Sequence, residues 1–185
     1  VYDFLYPNPA SVLAFIENHD TDRFLGEGDN LPMLKQASTL LLTTRRIPQL
    51  YYGTEVMMNG VKSKSDGYVR KDFPGGWTGD ATNALTPAGR TKIQNECYDF
   101  YKTILNWRKG NDVIAKGNMV QFMVQNGVYA YARQYEGKTV FVMLNGTDAE
   151  TTVPLKFYKE ILKNSKQGKD ILSGKAITFG EELKM

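Results

Sequence analysis

The feature that most constrains this sequence is a short apolar run that passes directly into polar and ionisable side chains. The run is Val12–Ile16, and it is followed by Asn18, His19, Asp20 and Arg23. A continuous apolar run is typical of a strand buried on both faces, as in parallel sheets. Functional groups in parallel α/β folds lie just past the carboxyl ends of strands, so these side chains are candidates for an active site. A capped turn without further role is the competing interpretation, since Asn and Asp side chains bond their own backbone in turns.

The next stretch predicts a helix followed by a second strand. Apolar residues at helical spacing predict a helix from about residue 31 to residue 45, with Asn30 as its cap. Residues 47–52 then form a short apolar and aromatic run that ends at Gly53. The order strand, helix, strand predicts parallel pairing through a right-handed crossover.

Residues 53–85 show neither a helical nor a strand period, which predicts a long loop. Its aromatic residues Tyr68, Phe73 and Trp77 indicate that the loop is ordered and packed. For Trp77, packing of the loop is favoured over stacking on a sugar ring, because aromatic side chains dominate protein cores. Thr86 and Pro87 then predict the start of a long helix, and Gly110 predicts its end.

From Asp112 onward the sequence predicts β structure. Turns at 126–127 and 136–137 separate β-rich runs, and Asn-Gly is a strong hairpin signal. Further strands are expected at 151–155, 170–172 and 176–179. These patterns predict two domains, residues 1–111 with α/β character and residues 112–185 as a small antiparallel β-sandwich.

Composition excludes several classes of function. With 23 basic and 20 acidic residues the net charge is +3, too small to indicate nucleic-acid binding. No apolar run reaches membrane-spanning length, so no membrane partner is expected. A single histidine and the single Cys97 provide no metal-ligand cluster, and Cys97 is expected to be an inert buried thiol. Neither a metal nor a cofactor is expected.

Two motifs resemble those of the α-amylase superfamily, glycoside hydrolase family thirteen. Residues 15–20, Phe-Ile-Glu-Asn-His-Asp, are similar to the family pattern Phe-x-x-Asn-His-Asp, and residues 47–55, Ile-Pro-Gln-Leu-Tyr-Tyr-Gly-Thr-Glu, resemble its eighth-strand motif. The resemblance implies an α/β plus β architecture, the last two βα units of a TIM barrel followed by the β-sandwich. The segments 66–70 and 73–77 look most like the neopullulanase and cyclomaltodextrinase branch.

The resemblance also implies site roles in a retaining glycosidase. Asp20 would be the carboxylate that stabilises the transition state, and His19 would donate to the same sugar hydroxyls. Asn18 would orient the loop around the substrate, and Asp66 and Arg70 would bind the next sugars. For Arg23, substrate contact and a structural ion pair are equally supported. No residue here matches the family's nucleophile or general acid.

The expected parent is therefore a hydrolase of starch, pullulan or cyclodextrins, with an α-glucan oligosaccharide as substrate and this chain as an inactive C-terminal fragment. A glucosyltransferase or isomerase of the same family, or a non-enzymatic amylase-like subunit, remains an alternative. The fragment is expected to dock on the rest of its parent chain or on itself. The resemblance favours a periplasmic or cell-envelope location, with the cytoplasm still open.

Overall fold

A computed structural model describes residues 3–185, which form two compact units. The first unit comprises the residues up to Leu42 together with Arg46–Asn106, and the second comprises Thr43–Arg45 and Trp107–Met185. The α-helices are α1 Leu31–Thr43, α2 Asp66–Val69, α3 Lys92–Arg108, α4 Asp112–Lys116 and α5 Lys159–Leu162. The strands are β1 Leu13–Ala14, β2 Ile47–Pro48, β3 Asn118–Gln121, β4 Val128–Tyr135, β5 Lys138–Asn145, β6 Thr152–Pro154, β7 Gln167–Lys169, β8 Ala176–Thr178 and β9 Glu182–Lys184.

In the first unit, β1 and β2 pair in parallel, as the order of strand, helix and strand predicts. Leu13 is opposite Ile47 and Ala14 is opposite Pro48, with α1 between the two strands in sequence. The ladder extends by one bond beyond the strands, where Gln49 N donates to the Ala14 carbonyl at 2.8 Å. The pairing directs both strand ends, and the loops that follow them, toward the same edge.

The prediction that the first strand is buried on both faces is wrong. Leu13 is 53% exposed and Phe15 is 43% exposed, whereas the alternate residues Val12, Ala14 and Ile16 are half-buried. Within residues 3–185, β2 is the only strand paired with β1, so nothing else in its sheet covers its other edge. Ile47 on β2 is likewise 49% exposed.

The predicted helix near residue 86 begins later than expected. Pro87–Gly89 form a separate 3-10 turn, and extended backbone at Arg90 interrupts the chain before α3. A reciprocal capping box then starts α3: Gln94 N donates to Thr91 Oγ1 at 3.3 Å, and Thr91 N donates to Gln94 Oε1 at 2.9 Å. The threonine–proline pair thus starts only the 3-10 turn, and the capping box at Thr91 starts the long helix.

The second unit consists of small antiparallel sheets. β3, β4 and β5 form one sheet, β6 pairs with β9, and β7 pairs with β8. Both predicted turns are confirmed, with positive φ at 126–127 and at 136–137. The expected strand at 170–172 is wrong, because Asp170 accepts from Leu172 N and Ser173 N and folds these residues into a turn.

The core of the second unit lies on one face of β4. Alternate β4 residues pack against the segment 153–162; the buried members of this cluster are Val128, Ala130, Ala132, Val153, Leu155, Tyr158, Ile161 and Leu162. The opposite face of β4 is also buried, since the Arg133 guanidinium donates to the carbonyls of Gly117 and Thr43. β4 is therefore the central strand of this unit.

Candidate functional site

Four residues predicted for the site meet in one surface cluster on the first unit. His19 Nε2 lies 3.2 Å from Asp20 Oδ2, and Arg70 Nη2 lies 3.0 Å from Asp20 Oδ1. The same Arg70 nitrogen is 3.4 Å from Asp66 Oδ2, so one guanidinium joins two carboxylates. Arg70 Nε also donates to the His19 carbonyl at 3.0 Å. Fifty positions of sequence separate Asp20 from Arg70, and the fold brings them into contact.

Lys62 belongs to the same cluster and was not predicted. Its Nζ donates to the Asp20 carbonyl at 3.0 Å and lies 3.7 Å from Asp66 Oδ1. Its backbone N–H donates to Asp22 Oδ1 at 2.6 Å, which fastens the 62–70 segment to the loop after β1. The only sequence signal was the i, i+4 spacing of Lys62 and Asp66, and that spacing is common on exposed surfaces.

Asn18 shapes the loop that carries Asp20. Its side-chain Oδ1 accepts from Asp20 N at 2.8 Å, and its own N–H donates to Thr21 Oγ1 at 3.0 Å. These bonds are those of an Asx turn, the competing interpretation of the motif. The turn and the cluster coexist, because the turn fixes the backbone while the Asp20 side chain stays 59% exposed.

Arg23 occupies the structural role rather than the substrate-contacting one. Its side chain is fully buried and pairs with Glu17, Nη1 to Oε1 at 3.3 Å, where the Glu17 side chain is 2% exposed. A guanidinium with no exposed surface offers nothing to a dissolved sugar.

The buried pair ties three segments together beneath the cluster. Arg23 Nε donates to the Val69 carbonyl at 3.0 Å, one residue before Arg70, and Nη1 donates to the Tyr52 carbonyl at 2.6 Å. Glu17 Oε2 accepts from Phe24 N at 2.5 Å, and Glu17 Oε1 accepts from the Thr54 hydroxyl. These bonds are the physical reason that the loop after β1 meets the segment around Arg70.

Sequence reasoning missed Glu17 because it was treated as part of the motif rather than as a buried charge. One signal was present: it is an acidic residue directly after an apolar run and six positions before an arginine. Two tyrosine rings also surround Arg23. Its Cζ lies 4.0 Å from the ring centroid of Tyr51 and 4.9 Å from that of Tyr52. Both rings therefore pack against the buried guanidinium.

The thiol of Cys97 is buried, as predicted. Its side chain is fully buried, and Sγ donates to the Thr54 carbonyl at 3.6 Å. Burial raises the pKa of the Cys97 thiol from 9.0 to about 12, so the reactive thiolate is disfavoured at neutral pH.

In the part of the chain that the structure describes, no group of three or more His, Cys, Asp or Glu residues could hold a metal ion. The helices among residues 3–185 are all too short or too polar to cross a membrane.

The cluster presents the carboxylate of Asp20. Each of its two oxygens faces one donor, and more than half of the side chain is exposed to solvent. Exposed ion pairs contribute only about 0.2–1 kcal/mol to stability, so Asp20 can exchange its partners for the hydroxyls of a ligand at little cost. His19, 58% exposed, offers a ring nitrogen beside the same oxygen. Such an array suits a neutral ligand rich in hydroxyl groups.

Residues 119–185 match the model of the cyclo-malto-dextrinase C-terminal domain. Among curated proteins, an α-amylase from Niallia circulans is 31% identical over 176 residues, covering 91% of this chain and 29% of that protein. A cyclomaltodextrin glucanotransferase from Thermoanaerobacterium thermosulfurigenes is 31% identical over 168 residues, covering 86% of this chain and 21% of that protein. The chain thus spans less than a third of the length of these relatives.

Solved structures agree on the fold. An α-amylase from Geobacillus thermoleovorans complexed with acarbose aligns with a TM-score of 0.74 at 24% identity, covering 97% of this chain and 38% of that one. A cyclomaltodextrin glucanotransferase with a three-domain ABC distribution aligns with a TM-score of 0.70 at 26% identity, covering 97% and 35%.

Proposed function

Because the chain belongs to the α-amylase superfamily, glycoside hydrolase family thirteen, we propose that the protein is a retaining hydrolase of α-glucans such as starch, pullulan or cyclodextrins. The observation that carries the proposal is the convergence of His19, Asp20, Asp66 and Arg70 in one exposed cluster at the end of a parallel strand pair. Each of these residues also occupies a motif position that the family resemblance assigns to sugar binding.

Asp20 is the centre of the proposed site. Its carboxylate accepts hydroxyl groups of the sugar at the bond to be cleaved, and its negative charge stabilises the oxocarbenium-like transition state. The same charge favours the protonated form of a neighbouring general acid. His19 donates to the same hydroxyls, while Arg70 and Asp66 bind the adjoining sugar. Asn18 and Arg23 position the loop.

We assign neither the nucleophile nor the general acid to any residue of this chain. The 185 residues by themselves are therefore expected to cleave no glycosidic bond. The exposed side chains of Leu13 on β1, of Phe15 directly after β1 and of Ile47 on β2 fit a neighbouring strand of the same protein, since an open parallel edge with apolar faces is unfavourable in water. Light scattering on the 185-residue chain tests this: a compact monomer would contradict it, and a self-associating chain would show that a second copy can cover the edge.

The direct experiment uses the complete encoded protein. Incubation with maltohexaose, pullulan and a cyclodextrin, followed by chromatography of the products, should show hydrolysis that Asp20→Asn slows by about 10²–10³. An absence of products from every glucan, or full activity in the Asp20 variant, would refute the proposal.

Glucan transfer is the second candidate, favoured by the relatives that are cyclomaltodextrin glucanotransferases at 27–31% identity. The same product analysis separates the two reactions. Hydrolysis gives shorter linear sugars and new reducing ends, whereas transfer gives cyclic or elongated products without a net gain of reducing ends.

A further inference from the structure

Trp77 is one of the most exposed large side chains of the first unit. Its side chain is 67% exposed, which overturns the prediction that it packs the long loop. The loop is instead packed by other residues, among them Val69 and Ala84, which are 0% and 1% exposed. A single exposed aromatic side chain is common on protein surfaces, so the exposure of Trp77 is informative only together with the backbone that holds it.

The turn that carries Trp77 is fixed by its own hydrogen bonds. Asp80 Oδ2 accepts from Gly75 N at 2.7 Å and from Trp77 N at 3.2 Å, and Asp80 N donates to the Trp77 carbonyl at 3.3 Å. Gly76 N donates to the Phe73 carbonyl at 2.9 Å. The backbone of Trp77 is therefore held from both sides before any ligand arrives.

The base of the turn is closed by residues 83–84. Ala84 N donates to the Pro74 carbonyl at 2.9 Å. Gly75 has a φ of +95°, and a Cβ there would lie 2.3 Å from Asn83 Oδ1, so only glycine permits this approach. The exposure of Trp77 thus results from a specific backbone arrangement and not from a loose loop.

We propose that Trp77 stacks on a glucose ring of the bound α-glucan, at a subsite away from the bond that is cleaved. The inference rests on the proposed function and extends it to a residue that determines preference for substrate length. The C–H face of a pyranose ring is apolar and complements an aromatic face, and a pre-ordered turn loses little entropy on binding. Trp77 follows Arg70 by seven residues, a span of at most about 25 Å, so one extended oligosaccharide can reach both.

The experiment measures the kinetics of the complete protein on maltooligosaccharides of increasing length. Trp77→Ala should raise KM for maltoheptaose about tenfold, corresponding to 1.4 kcal/mol of binding, and leave kcat and the KM for maltotriose unchanged. Trp77→Phe keeps an aromatic face and should stay within about threefold of the wild type. Leu85→Ala is the matched control, because Leu85 is 64% exposed but carries no ring.

Unchanged KM at every length would overturn the inference, and so would an equal loss of kcat at every length, which indicates a structural role. A change of association state in Trp77→Ala without a change in KM would assign the ring to a protein contact and overturn it as well. Calorimetric binding of maltoheptaose separates the two proposals. Weakened binding in Trp77→Ala alongside a wild type that cleaves nothing would support the stacking role and refute only the hydrolase activity.

Discussion

Two arginine–carboxylate pairs of the first unit share the loop after β1, and they differ almost entirely in exposure. In the Glu17–Arg23 pair the atoms are 3.3 Å apart and the side chains are 2% and 0% exposed. In the Asp20–Arg70 pair they are 3.0 Å apart and the side chains are 59% and 40% exposed. The distances are similar, so geometry alone does not separate their roles.

Burial does separate them. A buried charge must keep its partner, since the unpaired ion cannot be hydrated, whereas an exposed charge can exchange its partner for water or a ligand. The buried pair therefore fixes the fold of the loop, and the exposed pair is free to bind. The comparison teaches that the same residue types serve stability or recognition according to their access to solvent.

The largest expected effect is a loss of stability when the buried Glu17–Arg23 pair is broken. Arg23→Met leaves the Glu17 carboxylate buried without a counter-charge and should lower the free energy of unfolding by about 3–5 kcal/mol. Urea denaturation followed by circular dichroism measures the loss. Arg23→Lys keeps the positive charge and should recover part of the lost free energy of unfolding. If Arg23→Met were as stable as the wild type, the buried pair would not stabilise the fold and the comparison would fail.

Changes in the exposed Asp20–Arg70 pair should lower activity and leave stability almost unchanged. Asp20→Asn should lower kcat/KM of the complete protein on maltohexaose by about 10²–10³, the loss typical of removing one electrostatic transition-state contact, and change stability by less than about 0.5 kcal/mol. The matched control is Asp29→Asn, an exposed carboxylate in the same loop, for which activity should be retained. A large loss of stability in Asp20→Asn would show that Asp20 is structural.

Cys97 provides a probe of the buried Glu17–Arg23 pair, because Thr54 contacts both the Cys97 thiol and the Glu17 carboxylate. At pH 8, alkylation by iodoacetamide should be at least about a hundredfold slower in the folded protein than in urea. Arg23→Met should accelerate the reaction and Asp20→Asn should not. Equal acceleration by both variants would mean that the two pairs belong to one cooperative network.

The same thiol predicts a pH dependence of stability. Burial raises the pKa of Cys97 above its unfolded value of 9.0, to about 12. Stability due to the neutral thiol is therefore fully present below pH 9.0 and is lost as the pH rises toward about 12. In urea titrations, Cys97→Ala should show a smaller loss of stability over this range than the wild type, and identical losses would contradict the assignment.

The smallest effect concerns the stability contributed by the exposed pair. A double-mutant cycle of Asp20→Asn and Arg70→Gln should give a coupling energy of about 0.2–1 kcal/mol that decreases as salt is added. Thermal unfolding at low and high ionic strength measures it. A coupling above about 2 kcal/mol would place this pair in the same class as the buried one.

Much of the fold and of the site follows from sequence pattern. The apolar run, the helical spacing and the Asn-Gly turn are local signals, and they predict the parallel pair, α1 and the hairpins correctly. Asp20 and His19 stand in a motif, and Asp66 and Arg70 stand in a second segment. Because local signals carry no distance information, the sequence by itself could name these residues but could not show that they touch.

The tertiary structure alone decided which charges are buried and which are exposed. It placed Arg23 under the site rather than in it, added Lys62 to the cluster, and exposed Trp77 on a closed turn. The physical reason is that burial depends on the segments that pack around a residue, here residues 52–54 and 69 around Glu17 and Arg23. Those segments are about thirty to fifty positions away in the chain, beyond the reach of any local pattern.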